Sequence, residues 1–131
     1  MCGRYAASRD AAILVEEFAV DEGPSVDLAA DYNVAPTKKV YVVLDRPADD
    51  GNPALRELGV ARWGLVPSWA KDPKIGNRMI NARVETLTAK PAYRRAVSRR
   101  RCLLPADGYY EWYSPQDPGA PRNRQGKPIK Q

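Results

Sequence analysis

The 131-residue sequence contains no histidine, only two cysteines and a single phenylalanine. A chain without imidazole cannot form a Ser-His-Asp or Cys-His nucleophile pair, and it lacks the commonest metal ligand. Two cysteines alone do not complete a zinc site. We therefore expect no metal and no cofactor, and any chemistry must use a carboxylate, an amine, a thiol or an amide.

Long apolar runs are also missing. The run at residues 40–44 is far shorter than the roughly 20 residues that cross a bilayer, and the N-terminus lacks the basic and apolar segments of a secretion signal. We expect a soluble, cytoplasmic protein, associated with the nucleoid if the source is bacterial. No membrane partner is expected, and in that reducing setting both cysteines should be free thiols.

The length fits one compact domain. Apolar residues at positions 11, 14, 15 and 18 predict an amphipathic helix that is capped by Ser8 and stopped by Gly23 and Pro24. The β-branched and aromatic composition of residues 39–45 predicts a buried strand, which pairs with a second strand at residues 55–63 across a turn. A short helix is expected to begin at Pro91, because proline is tolerated at the first helical position.

The last third of the chain differs in composition from the rest. Residues 101–105 and the aromatic residues 109–113 predict a hairpin with its turn at residues 106–108. Residues 114–128 are rich in proline, glycine and polar side chains and predict a flexible connection. Residues 90–131 hold ten basic and three acidic side chains, against 11 and 13 in residues 1–89. This excess fits a solvated basic face. Alternatively, with the interleaved aromatic residues, it fits a surface for single-stranded nucleic acid on which bases would stack. Those aromatic residues are Trp63, Trp69, Tyr93 and Tyr109.

Cys2 is the first candidate for chemistry. Methionine aminopeptidases remove Met1 when the second residue is small, which would leave a free α-amine beside the Cys2 thiol. Both groups supply a nucleophilic fraction near neutral pH without a histidine to activate them. With an aldehyde the amine forms a Schiff base, and the thiolate then closes a five-membered thiazolidine. The alternative is that position 2 simply tolerates a small residue.

Three further residues have a chemical and a structural interpretation each. Glu111, between two aromatic residues, suits general acid or base chemistry, or is an exposed acid on a solvent face. Asn81 could hold a substrate hydroxyl or carbonyl, or could cap a turn. Cys102, in the first strand of the predicted hairpin, is expected to be a small core residue.

Five ordered segments of the sequence resemble the SRAP family, the SOS response-associated peptidase domain. They are Met1-Cys2-Gly3-Arg4-Tyr5, Tyr32-Asn33-Val34-Ala35-Pro36-Thr37, Trp63-Gly64-Leu65-Val66-Pro67-Ser68-Trp69, Asn81-Ala82-Arg83-Val84-Glu85-Thr86 and the stretch from Arg101 to Trp112. The resemblance extends from residue 2 to about residue 113. It implies an α+β fold in which a mixed, mainly antiparallel sheet curls into a barrel-like shape with a few short helices.

The resemblance also implies a function. Proteins similar to this chain recognise abasic sites in single-stranded DNA and crosslink to them through the N-terminal cysteine, which shields the lesion from strand cleavage. Cys2 would then be the nucleophile, Asn81 would orient the opened sugar or the α-amine, and Glu111 would be the acid or base. The implied DNA contacts are Arg4, Asn33, Pro36, Trp69 and Arg83.

The chain departs from the family's pattern in one respect. The family uses a histidine in a later segment for Schiff-base chemistry and crosslink reversal, and this sequence has none. We expect residues 1–131 to be the N-terminal portion of an SRAP domain, apparently incomplete at its C-terminus, whose missing C-terminal segment would be a partner. Two other functions stay open: a thiol peptidase that processes its own N-terminus, and a non-catalytic module that binds single-stranded DNA.

Overall fold

A computed structural model describes residues 2–113 and 119–127 of the chain. It confirms the predicted α+β class, since all paired strands are antiparallel and the helices are few and short. No helix in the described ranges is long and apolar enough to cross a membrane. In chain order the elements are β1 (Arg4–Ala7), α1 (Ala11–Glu17), β2 (Asp31–Val34), β3 (Lys39–Arg46), β4 (Leu55–Arg62), 3-10 helices at Pro73–Arg78 and Val84–Thr86, α2 (Pro91–Arg99) and β5 (Gly108–Tyr110).

The strands form two antiparallel sheets. One has the order β2-β1-β5, and the other is the β3–β4 pair, whose register runs from Lys39 opposite Arg62 to Arg46 opposite Leu55. The predicted β3–β4 pairing is therefore confirmed. In the described part of the chain the two sheets do not join into a closed barrel, so barrel closure stays a prediction.

Strand β3 lies at the centre of the core. Its apolar residues are buried on both faces, which explains why the sequence there runs apolar without alternating. Val40 and Val42 pack with residues of β1 and β2, whereas Tyr41 and Val43 pack with Leu14 of α1 and with β4. Strand β3 thus joins a core under the β1–β2 sheet to a second core under α1.

Helix α1 differs at both ends from the prediction. Asp10, not Ser8, is the N-cap, because the Asp10 side chain accepts a hydrogen bond from the Ile13 N–H at 2.9 Å. The Ser8 hydroxyl instead donates to Asp107 at 2.8 Å. The helix ends at Glu17 with Phe18 as its C-cap, and Ala19 follows with a positive φ of 48°, so the chain turns before it reaches Gly23.

The predicted hairpin at residues 101–113 is wrong. Leu103 forms an isolated bridge with Val43 of β3, and β5 pairs with β1 instead. Pro105 has no N–H group to donate to a strand ladder. The predicted first strand therefore cannot continue through Pro105 into a paired hairpin. Asp107 then begins the new pairing, since its N–H donates to the Ala6 carbonyl at 2.9 Å.

The loop between β4 and α2 is held by a close approach of two glycines. Gly64 has φ +124°, and a Cβ on it would lie 2.5 Å from the Gly76 carbonyl oxygen. The Leu65 N–H also donates to the Met79 carbonyl at 3.0 Å. This contact fixes the start of the loop that carries Trp69 against the segment that leads to Asn81.

Helix α2 begins at Pro91, as predicted. Part of the predicted connection at residues 114–128 lies outside the described residues, namely 114–118 and 128. Among residues 119–127, the Asn123 side-chain oxygen accepts hydrogen bonds from the N–H groups of Gln125 and Lys127, both at 3.0 Å. These bonds form a turn, and the flexibility of the connection stays a prediction.

Candidate functional site around Cys2

The N-terminal cysteine and Asn81 are in direct contact. The Asn81 side-chain amide donates a hydrogen bond of 2.7 Å to the Cys2 carbonyl oxygen, across 79 positions of sequence. The Cys2 thiol donates to the Arg4 carbonyl at 3.0 Å, and the half-buried Cys2 side chain packs against the β1–β2 core. The Asn81 side chain therefore fixes the backbone that carries the thiol, and among residues 2–113 and 119–127 it forms no turn-capping hydrogen bond.

Asn81 is itself held on both sides. The Tyr93 hydroxyl, from α2, donates to the Asn81 carbonyl at 3.2 Å. The neighbouring Ile80 carbonyl accepts a hydrogen bond from the indole nitrogen of Trp63, also at 3.2 Å. Helix α2 and the end of β4 thus position the amide that contacts Cys2.

Two aromatic rings support the site from the core. Tyr5 and Trp63 meet edge to face, with ring centroids 5.2 Å apart and an interplanar angle of 72°. Burial raises the pKa of Tyr5 to about 12, with smaller contributions from the charges of Asp31 and Cys2. The phenol therefore stays neutral near physiological pH, and its buried oxygen has no hydrogen-bond partner among the described residues.

A polar network lies on the exposed side of β1 and β2. The Arg4 guanidinium donates to the Asn33 side-chain oxygen at 3.0 Å, and the Asn33 N–H donates to Asp31 at 2.9 Å. Asp31 also pairs with Lys38 at 2.5 Å. Hydrogen bonds from Lys38 and from the Asn33 backbone lower the pKa of the Asp31 carboxyl. The structure therefore brings Arg4 and Asn33, two of the predicted DNA contacts, into one cluster beside Cys2.

Glu111 lies at the end of β5. It directly follows Tyr110, which is paired with Arg4 at the N-terminal end of β1, two residues after Cys2 in sequence. Its side chain is exposed, as are the neighbouring Tyr110 and Trp112 at 55% and 75%. The exposed position agrees with the alternative of an acid on a solvent face, and the role of Glu111 as an acid or base stays a prediction.

The remaining predicted contacts are more widely spread. Pro36 is half-buried in the turn after β2, one residue before Thr37, whose N–H donates to the Trp63 carbonyl at 2.8 Å. Trp69 is 61% exposed and lines a groove against α2. Arg83 is exposed, with Nε 3.9 Å from a Glu85 carboxylate oxygen. In the described ranges no hydrogen bond joins Arg83 or Trp69 directly to Cys2.

The second cysteine is not a core residue, contrary to the prediction. Cys102 is exposed, and its neighbour Leu103 forms an isolated bridge with Val43 of β3 in place of the predicted hairpin ladder. Partial burial of its thiol raises the pKa of Cys102 and so lowers its thiolate fraction. Among residues 2–113 and 119–127, no group of three or more acidic or cysteine side chains could hold a metal ion.

Sequence reasoning missed the residues that support the site. Tyr93 was expected to offer a stacking surface, but its hydroxyl holds Asn81. Trp63 was also assigned to stacking, yet its ring packs on Tyr5 and its nitrogen is bonded to Ile80. The close approach of Gly64 and Gly76 could have been suspected from the sequence, because glycine is the residue that allows another group to come close to the backbone.

Comparisons with known proteins agree on one family. The model of the SOS response associated peptidase (SRAP) family matches residues 1–129. The abasic site processing protein YoaM of Bacillus subtilis is 43% identical over 113 residues, covering 86% of this chain and 47% of YoaM. The abasic site processing protein YedK of Escherichia coli is 31% identical over 136 residues, covering 98% of this chain and 57% of YedK.

A solved structure has a similar fold. A crystal structure of a Bacteroides thetaiotaomicron protein superposes with a TM-score of 0.68 at 23% identity, covering 88% of this chain and 50% of that protein. The chain spans about half the length of the curated relatives that it matches. Because the family match covers nearly the whole sequence and includes the segments that meet at Cys2, the chain belongs to the SOS response associated peptidase (SRAP) family.

Proposed function

We propose that this chain captures abasic sites in single-stranded DNA by forming a covalent thiazolidine through Cys2. The observation that carries the proposal is the 2.7 Å contact between Asn81 and the Cys2 carbonyl, because it holds the N-terminal residue in place. Relatives named abasic site processing proteins support the choice of substrate. The proposal places the protein in the DNA damage response, in the cytoplasm and on the nucleoid if the source is bacterial.

The chemistry requires removal of Met1. The free α-amine of Cys2 then attacks the aldehyde carbon of the ring-opened deoxyribose and expels water as an imine forms. The Sγ thiolate adds to the same carbon, and the former imine nitrogen takes up a proton. The net change joins amine, thiol and aldehyde into a thiazolidine and releases one water molecule. The sugar can then no longer eliminate its phosphate as a free aldehyde, which protects the strand.

The other residues have supporting roles in this proposal. Asn81 orients the Cys2 backbone and the incoming sugar, and Glu111 exchanges protons with the hydroxyl that leaves as water. Arg4 and Asn33 form the cluster that borders Cys2 and would contact phosphates on either side of the lesion, together with Arg83. Pro36 would pack against a base next to the lesion, and Trp69 against a base further along the strand, since base stacking on an exposed aromatic ring contributes about 1–3 kcal/mol.

A comparison of two oligonucleotides tests the proposal. The purified chain is incubated with a single strand that carries an abasic site, and with one that carries a tetrahydrofuran analogue that cannot open to an aldehyde. We expect a heat-stable adduct on a denaturing gel only with the aldehyde-forming strand. A module that merely binds DNA would bind both and give an adduct with neither, which would contradict the proposal.

Substitution of Asn81 tests the positioning role. In Asn81→Ala the Cys2 carbonyl loses its hydrogen bond, which contributes about 0.5–1.5 kcal/mol, so the adduct should form about 2- to 12-fold more slowly. Asn77→Ala is the matched control, because the Asn77 side chain is exposed and makes no hydrogen bond within the described residues. An unchanged rate in Asn81→Ala, measured at saturating DNA, would exclude the role.

A further inference from the structure

A second groove lies between the loop at residues 65–69 and helix α2. Its volume is about 340 Å³, within the range of roughly 300–1,000 Å³ typical of ligand sites. Val66, Pro67 and Pro91 form apolar walls, and the exposed ring of Trp69 stands at its edge. The groove therefore offers a flat aromatic face beside an apolar surface.

The charged residues of this groove are all basic. Arg94, Arg95 and Arg100 line it, all three are exposed, and no acidic side chain does so. Between Glu85 and Asp107 the sequence has six basic residues and no acidic one. Within the described ranges none of these three arginines forms a salt bridge, unlike Arg9, Arg46 and Arg56. Their positive charge is therefore available to an anionic ligand.

The groove is continuous with the site around Cys2. A neighbouring depression of about 270 Å³ is lined by Asn81 and Tyr93, and it shares Leu65, Ala96 and Arg100 with the groove. A polymer that reaches Asn81 can thus run along α2 to Trp69. Because the groove is continuous with the site, its ligand is more naturally the DNA strand that carries the lesion than an unrelated acidic peptide.

We propose that this groove is a second anchor for the DNA strand, independent of the lesion. The guanidinium groups of Arg94, Arg95 and Arg100 bind backbone phosphates, which their planar forks suit, and one base at a distance from the lesion stacks on Trp69. The inference rests on the proposed function for its choice of DNA, but it assigns an additional subsite to α2 that takes part in no chemistry.

Binding of intact DNA tests the anchor. The variant Arg94→Gln/Arg95→Gln is compared with wild type for binding a 20-nucleotide oligothymidine over a range of salt concentrations, by fluorescence anisotropy. Each phosphate contact contributes about 0.7 to the slope of log K against log salt for single strands, so the slope should become shallower by about 1.4, with at least about tenfold weaker binding at low salt. Trp69→Ala should weaken binding with little change in the slope, since it removes stacking and not charge.

Arg46→Gln/Arg124→Gln is the matched control. It removes the same charge from exposed positions, and Arg46 lies at the end of the β3–β4 pair away from Trp63. This control should keep the wild-type slope. Equal slopes for Arg94→Gln/Arg95→Gln and wild type would overturn the anchor, and so would competition by polyglutamate as strong as that by oligothymidine.

Oligonucleotide length separates the anchor from the reactive site. With a trinucleotide whose central position is abasic, Arg94→Gln/Arg95→Gln and wild type should form adducts at equal rates, because such a ligand cannot reach Trp69. With a 20-nucleotide abasic strand at a concentration below saturation, the variant should form the adduct more slowly than wild type. The factor should equal its loss of affinity for the strand. A slower reaction with the trinucleotide would contradict the proposal. If wild type forms no adduct at all, the proposed function fails while the salt titration still decides the anchor.

Discussion

Replacing Cys2 with alanine is expected to abolish the heat-stable adduct with abasic single-stranded DNA, a loss of at least about 100-fold. Alanine is also small, so Met1 is still removed and the α-amine remains free. The amine can form an imine but has no thiol to close the ring, and the imine hydrolyses when the protein is denatured. The measurement is the fraction of DNA shifted on a denaturing gel.

Borohydride makes this prediction more specific. Reduction traps an imine as a stable amine, so Cys2→Ala should give an adduct in the presence of the reductant and none in its absence. Cys102→Ala is the control, because Cys102 is the other thiol of the chain and burial raises its pKa. The control should react like wild type. A wild-type yield from Cys2→Ala without the reductant would mean that another nucleophile forms the adduct.

Gly64→Ala is expected to destabilise the fold and to reduce adduct formation with it. The new Cβ would lie 2.5 Å from the Gly76 carbonyl oxygen, and φ at this position is +124°, which side chains rarely adopt. The strain and the steric conflict together should lower the free energy of unfolding by about 2–6 kcal/mol. Urea denaturation measures the loss.

Gly23→Ala is the comparison for that variant. A Cβ at Gly23 has no neighbour within 4 Å, and its φ lies outside the strained positive range. We expect its free energy of unfolding to stay within about 0.5 kcal/mol of wild type, as for most surface substitutions. If Gly64→Ala were as stable as Gly23→Ala, the close approach of the two glycines would not hold the loop.

The strongest local patterns were sufficient to predict part of the fold. The consecutive apolar residues of β3 indicated a buried strand, and Pro91 correctly marked the start of α2. Strands β1 and β2 were not predicted, because four residues give too short an alternation and their pairing joins segments far apart in sequence. The hairpin at residues 101–113 failed for a similar reason, since β1 offered β5 a partner that local patterns cannot reveal.

The candidate site, like the fold, could be predicted from the sequence only in part. Cys2 could be singled out from its position behind Met1 and from the chemistry of an aminothiol. Asn81 was a candidate from its amide, and the family resemblance assigned it a role beside Cys2. Their contact depends on the fold, because Trp63 and Tyr93 place Asn81 beside Cys2 from two different elements. Those supporting roles involve a ring nitrogen and a hydroxyl bonded to backbone carbonyls, and such bonds leave no periodic pattern in a sequence.

Peptide mass mapping of the adduct tests the central claim most directly. Wild-type protein is reacted with an abasic oligonucleotide, the DNA is digested to the sugar remnant, and the tryptic peptides are fragmented in a mass spectrometer. We predict that the remnant lies on residue 2 of a peptide that lacks Met1, with the mass of an aldehyde condensed with loss of one water. A remnant on Cys102 or on a lysine, or a crosslinked peptide that still carries Met1, would contradict the account.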